Sequence, residues 1–164
     1  MEITNKWKLD GKDVVSKWIT SKDYKRFKPI TQVYGTCFTK EGKILIVKDL
    51  RNWKLPGGTP EKNEKPEETL RREVLEEASV VLGKCKMIGC QEVLMDEKIF
   101  YQLRYAAIIE EIKKLKPDHD TGRTMKRKFV KPSEFNKYVK WGDIGDSILR
   151  LSLEEFKKWK TILK

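Results

Sequence analysis

Apolar positions follow two periods along the chain. Residues 31–39 (TQVYGTCFT) and 43–48 (KILIVK) are rich in β-branched and aromatic residues around Lys40-Glu41-Gly42, which predicts an antiparallel strand pair. Residues 84–95 (KCKMIGCQEVLM) and 99–112 (IFYQLRYAAIIEEI) form two longer strand-like runs joined by Asp96-Glu97-Lys98. In the second, Tyr101, Leu103 and Tyr105 alternate with Gln102 and Arg104, predicting one buried face and one wetter face open to substrate. Residues 125–130 (MKRKFV) read as a last strand, and Leu9-Asp10-Gly11-Lys12 as a hairpin turn between two short ones. Residues 66–78 switch to the helical period, with Pro66 in the first turn and Leu70, Val74 and Ala78 as the apolar stripe. Pro132 leads a helix through Tyr138, Asp146 starts another, and Ser152-x-x-Glu155 reads as the capping box of a final one. There Phe156, Trp159 and Leu163 mark a face for the domain or for a partner subunit in a homodimer. Residues 49–54 and 113–123 read as loops, with Trp53 expected under the Gly57-Gly58 turn.

At 164 residues the chain has room for one domain with a proper core. No stretch of about 18 apolar residues occurs, and the first residues lack the apolar core of a secretory signal, so a soluble cytoplasmic protein away from membranes is expected. Cys37, Cys85 and Cys90 lack metal-knuckle spacing and read as reduced core thiols. Charge changes the picture more. The net charge is +11, yet residues 57–80 carry −3, leaving +14 for the rest, and residues 123–164 hold twelve bases against five acids. An acidic island in a basic body suits a polyphosphate, the field drawing in the anion, and the same field attracts RNA.

The island is a helix. At about 100° per residue, Glu73, Glu76 and Glu77 share an arc of roughly 100°. Like charges at this spacing cost a few tenths of a kcal/mol each, so the patch calls for a counter-charge, and a divalent cation is the natural candidate. Mg²⁺ is held by one or two carboxylates, waters and substrate phosphates, and Mn²⁺ is its substitute here. Gly57-Gly58 ahead of the helix lets backbone approach a ligand.

Read from Gly58, the chain gives G-x5-E64-x7-R72-E73-V74-x-E76-E77-x-S79-V80. This resembles the signature of the Nudix hydrolases, G-x5-E-x7-R-E-U-x-E-E-x-G-U with U aliphatic, and departs from it only at Ser79, where the family has glycine. The resemblance implies an α/β fold, the Nudix α/β/α sandwich with a mixed central sheet. Residues 1–164 then form one domain, with 1–30 an N-terminal extension and 141–164 a C-terminal helical one. It implies that Glu73, Glu76 and Glu77, with the Gly58 carbonyl, hold the metal. Arg72 and Glu64 would orient the helix and its carboxylates, and Glu73 is the residue expected to activate water. In some members an acid of the loop after the strands takes that role, which makes Asp118 and Asp120 candidates, although D-x-D-T-G is also ordinary turn chemistry. Arg104 is a candidate phosphate contact.

The resemblance implies Mg²⁺-dependent cleavage of a nucleoside diphosphate linked to another group. No short pattern marks an ADP-ribose, coenzyme A or NADH hydrolase, so a small nucleotide, such as an oxidised or ordinary nucleoside triphosphate, is the first expectation. Removal of pyrophosphate or a cap from RNA 5′ ends is the alternative that the basic ends favour. A non-catalytic nucleotide- or nucleic-acid-binding module is a third reading, against which the intact carboxylates argue.

Overall fold

The computed structural model describes residues 2–162. It contains a nine-stranded mixed sheet covered by helices on both faces. In chain order the strands are β1 (Thr4–Leu9), β2 (Lys12–Thr20), β3 (Ile30–Phe38), β4 (Ile44–Lys48), β5 (Trp53–Lys54), β6 (Gly57–Gly58), β7 (Val80–Met95), β8 (Lys98–Ile112) and β9 (Lys126–Val130). The helices are α1 (Pro66–Ala78), α2 (Phe135–Tyr138) and α3 (Gly142–Ile162), with a 3-10 turn at Pro132–Glu134. The sheet runs β1-β2-β7-β8-β3-β4-β5, with β6 beside β3 and β9 beside β4.

The N-terminal hairpin adds β1 and β2 to the sheet against β7. The long β7–β8 hairpin turns at Asp96 and Glu97, both at positive φ (51° and 62°), the twist that two-residue hairpins favour. β8 then runs parallel to β3. The expected β3–β4 pair is reduced to one register position, Phe38↔Ile44. Beyond it β4 pairs with β9 along its whole length, and β3 takes β6 through Val33↔Gly58 and Tyr34↔Gly57. The glycine pair therefore lies in the cleft where β3 and β4 part.

Period-two alternation supplies two cores. On β4, Leu45 and Val47 face α1, whose Leu70, Val74 and Ala78 are fully buried, while Ile44 and Ile46 face α3. The same holds on β8, where Leu103, Tyr105 and Ala107 belong to the α1 side and Ala106 to the α3 side. The expected wetter face of β8 is therefore covered by α3 at Ala106, Gln102 is partly buried, and Arg104, expected at an accessible position, is only 3% exposed.

The C-terminal region is one helix of 21 residues in place of two. Ser152 is no cap: it is buried within α3, where its hydroxyl donates to Thr36 Oγ1 at 3.0 Å. Glu155, the other half of the expected box, is buried and meets Lys86 at 3.0 Å and Lys158 at 3.1 Å. Phe156 and Trp159 pack on the domain itself, Phe156 stacking on Phe38 with ring centroids 4.6 Å apart, and Leu163 lies outside the described residues. Trp53 packs edge-on to Tyr138, 5.9 Å between centroids. Cys37 and Cys90 are buried and Cys85 half-buried, all free, and burial pushes the thiols of Cys85 and Cys90 up to about 12, which keeps them protonated and inert. Among the described residues no helix is long and apolar enough to cross a membrane.

Candidate active site

Helix α1 starts where Pro66 fills its first turn and the Glu68 carboxylate accepts the Lys65 N–H at 2.8 Å. Its apolar stripe fixes the rotation of the helix on the core, and this turns Glu73, Glu76 and Glu77 toward the cleft that holds Gly57-Gly58.

Arg72 organises the carboxylates. Its guanidinium donates in a fork to Glu64, Nε to Oε2 at 2.8 Å and Nη2 to Oε1 at 3.0 Å. The same group reaches Glu73 Oε1 at 3.0 Å, Glu76 Oε2 at 3.2 Å and the Thr59 carbonyl at 3.1 Å. Lysine could not serve so many acceptors, because its ammonium lacks the planar fork. The Arg72 hydrogen bonds hold the Glu64 carboxyl down at about 2, and Thr69 adds a hydroxyl contact at 2.6 Å. Glu64 is thus a permanent anion that pins the arginine, and the arginine presents the other two acids.

Glu77 is held from the opposite side. Its Oε1 accepts the Gly57 N–H at 2.9 Å and its Oε2 lies 3.5 Å from Lys54 Nζ. Burial outweighs both and pushes its carboxyl up to about 7. Burial also raises Glu73, with Glu76 and Asp118 adding repulsion against the pull of Arg72. Glu76 is raised by burial, and Asp120 and Asp118 repel it. Gly58 is required by close approach: a Cβ there would collide with the Glu73 carboxyl group.

Glu73, Glu77 and Gly57 line a pocket of about 600 Å³ together with Asp118 and the cations Lys48, Lys54, Arg123 and Lys126. Glu76 is outside this lining, tied to Arg72 one turn along α1. Asp118 combines a place in the pocket lining with the turn chemistry of its D-x-D-T-G segment. It faces the pocket, and its Oδ1 accepts the N–H groups of Asp120 and Thr121 at 2.9 Å each, bonds that hold it below the usual carboxylate range. Asp120 is exposed, beside His119 at 3.3 Å. Ser79 keeps the left-handed backbone that a glycine favours, φ 53° and ψ 43°. Its hydroxyl accepts the Lys116 N–H at 3.0 Å and its carbonyl accepts the Lys113 N–H at 2.9 Å, tying the Asp118 loop to the end of α1.

Arg104 lies elsewhere, beside a second cavity of about 550 Å³ that touches the first through Lys54. It is sandwiched between Tyr34 (4.6 Å to the ring centroid) and Trp141 (5.2 Å) and donates to the side-chain carbonyls of Gln91 and Gln102. The structure therefore brings together Gly58, Glu64, Arg72, Glu73, Glu76, Glu77 and Asp118, keeps Asp120 exposed on the same loop within electrostatic reach of Glu76, and places Arg104 beside the second cavity. Sequence reasoning missed the pocket's cations. Lys54 carried a weak signal, three residues before the glycines, whereas Lys126 is placed only by the pairing of β9 with β4.

Among the described residues no group of three or more His, Cys, Asp or Glu side chains is pre-arranged as a metal cage. The donor set nevertheless suits a hard divalent ion that keeps waters and leans on substrate phosphates. Three carboxylates destabilised by burial lie at one cleft, all oxygen donors, with Arg72 and Lys54 as their cationic partners. The fold and this acidic cleft define a class of enzyme that works on phosphate anhydrides.

A NUDIX domain model matches residues 29–151, and the chain belongs to the Nudix family. Its members use divalent metal ions. The pyrophosphohydrolase BsRppH of Bacillus subtilis is 26% identical over 94% of this chain and 96% of its own, with a TM-score of 0.65. A NUDIX hydrolase from Nitrosomonas europaea is 13% identical over 78% of this chain and 90% of its own (TM-score 0.60), and a MutT protein from Methanosarcina mazei 20% identical over 77% and 94% (TM-score 0.54). No curated protein sequence matches the chain. Family and likeness together make the chain a hydrolase acting on phosphorus-containing anhydrides.

Proposed function

We propose that the chain is a Mg²⁺-dependent pyrophosphohydrolase that cleaves the diphosphate linkage of a nucleotide, with a nucleoside triphosphate, ordinary or oxidised, as its smallest substrate. The observation that carries this reading is the composition of the reaction pocket: Glu73 and Glu77 on one wall, Lys48, Lys54, Arg123 and Lys126 around them. Carboxylates alone would repel a polyphosphate and cations alone would hold it inert; the pairing suits binding followed by hydrolysis. Glu73, Glu76, Glu77 and the Gly58 carbonyl would hold the ion, with Mn²⁺ as substitute. When bound it neutralises phosphate oxygens and lowers the pKa of water. The chain's own residues do the rest. The lysines and Arg123 orient the phosphates, Arg72 and Glu64 fix the carboxylates, and Glu73 takes the proton from the attacking water. Asp118 is the second candidate base, since it faces the same space.

A second reading extends the substrate to the 5′ end of RNA. It is supported by the likeness to BsRppH, which spans 94% of this chain and so takes in the end regions, and by the basic residues of those regions. The test is a panel of nucleoside triphosphates, nucleotide sugars, ADP-ribose, dinucleoside polyphosphates and triphosphorylated RNA with Mg²⁺ or Mn²⁺, products identified by chromatography. Release of pyrophosphate or phosphate from a 5′-polyphosphate is expected. No turnover on any member with either metal would overturn the proposal.

A further inference from the structure

A groove of about 490 Å³ adjoins the reaction pocket across Lys48, which lines both. Its cations are Lys48, Arg51, Lys137 and Lys140, with Lys128 beside them over the rings of Trp53 and Tyr138. Among the described residues none of these five side chains is in an ion pair. Two charge clusters elsewhere are neutralised: Arg72 meets four carboxylates, and Glu155 meets three lysines. Asp49, the acid next along the chain, accepts from the N–H groups of Arg51 and Asn52, and these bonds, with the charges of Lys54 and Arg51, hold it below the usual carboxylate range, so one acid faces the five cations from this side. The groove is thus a concentration of positive charge left open, and self-repulsion there is relieved by a bound polyanion.

The second component is aromatic. Trp53, Tyr138 and Trp141 line the groove and are only partly buried; Lys48 and Lys128 lie over the Trp53 ring, Lys128 over Tyr138 and Arg104 over Trp141, so a base stacks here by displacing the flexible end of a lysine. Cations that follow a phosphate backbone and rings on which bases stack are the combination that binds single strands without reading their sequence. A duplex has its base faces already stacked and gains nothing from the rings. A free nucleoside triphosphate places its phosphates in the reaction pocket and has no further phosphates to offer the groove.

We propose that this groove binds the single-stranded polynucleotide that follows a 5′-polyphosphate end seated in the reaction pocket. The position of the 5′ end rests on the pyrophosphohydrolase reading above; the binding of the strand by the groove does not.

The test uses the full chain and the double variant Arg51→Ala/Lys137→Ala. Both side chains are exposed, and neither has a hydrogen-bond or ion-pair partner among the described residues, so folding is unaffected, which melting confirms. Binding of a triphosphorylated RNA of about eight nucleotides, within the usual span of single-strand sites, is followed by fluorescence anisotropy from low to high salt. A DNA of the same sequence runs in parallel. Losing two phosphate contacts should lower the salt slope of the binding constant by about 1.4 and weaken binding about tenfold at low salt. The KM for the triphosphorylated RNA should rise in step, while KM and kcat for a nucleoside triphosphate stay put. RNA and DNA weakened alike, or RNA alone, both support the groove and identify the strand. Parent protein that binds no single strand, a variant with an unchanged salt slope, or an acidic peptide that displaces RNA as well as RNA itself would each overturn it. Absence of hydrolysis of every phosphate substrate would instead strike the pyrophosphohydrolase reading, leaving the anisotropy to judge the groove.

Discussion

Replacing Gly58 by alanine should disable the enzyme without unfolding it. The added methyl would overlap the Glu73 carboxyl carbon and Oε1 and come within 2.8 Å of Oε2, against an ordinary contact of 3.4–4 Å. Even the farthest oxygen must retreat by the difference between 2.8 and 3.4 Å, and the carboxyl carbon by more, about 1 Å. The atoms that move are the end of a flexible side chain, so stability changes little, about 1 kcal/mol or less. A displacement of about 1 Å in a reacting or positioning group costs on the order of a hundredfold in rate, or about 2.7 kcal/mol of barrier. The neighbouring Gly57→Ala is the contrast. There φ is 152° and the new Cβ would meet the Val33 carbonyl and the Tyr34 backbone, which cannot yield. That variant should lose stability outright. The assay pairs Mg²⁺-dependent hydrolysis of a nucleoside triphosphate with thermal melting. Gly58→Ala at parental kcat/KM would refute the assignment of Glu73 to the reaction centre. An equal melting loss in both variants would refute the reasoning that separates backbone from side-chain collisions.

Other outcomes follow from the same network. Glu76→Gln and Glu77→Gln should each reduce kcat by at least about a hundredfold while Tm holds, since burial disfavours the charge at both positions; parental turnover would remove them from the site. Arg72→Lys keeps a charge but loses the fork to Glu64 and the reach to Glu73, Glu76 and Thr59, so both Tm and kcat should fall, with about 2 kcal/mol of stability at stake. Glu155→Gln should cost about 1–2 kcal/mol at neutral pH, a few degrees in Tm. Burial pushes the Glu155 carboxyl up, but Lys86 and Lys158 overcome it and hold the group below its ordinary 4.5. Its contribution is therefore complete above that value and lost as pH falls through the lower folded one. Parent and variant melting curves should run in parallel from pH 7 to 5 and converge in stronger acid; a gap independent of pH would mean that the charge contributes nothing.

Helix α1 was legible because three signals coincide in 13 residues: an opening proline, an apolar stripe and carboxylates spaced for one face. The shared arc of Glu73, Glu76 and Glu77 needs only helical geometry, which is local. The burial of Arg104 was hidden for a different reason. Alternation along β8 shows that successive residues face opposite ways, but not that α3 covers the second face, and that depends on residues about 40 positions later. Ser152-x-x-Glu155 misled in the same manner: the local pattern fits a cap, while the tertiary partners Thr36 and Lys86 claim both side chains. The split between β3 and β4 was equally out of reach, since β9 and the glycine strand compete for edges that sequence proximity assigns to a hairpin.

Ser79, the one departure from the family signature, has a mechanical meaning. Glycine there would remove the hydroxyl that ties the following loop to the helix end. The serine hydroxyl adds a clasp to Lys116, and Arg127 bridges the carbonyls of Ala78 and Lys113 at 2.6 and 2.8 Å. Helix end and loop root are thus joined by hydrogen bonds that reach as far as Lys116, two residues before Asp118. Asp118 is held in turn by its own loop, so the spacing of acids across the cleft is a property of the fold, set where the helix stops.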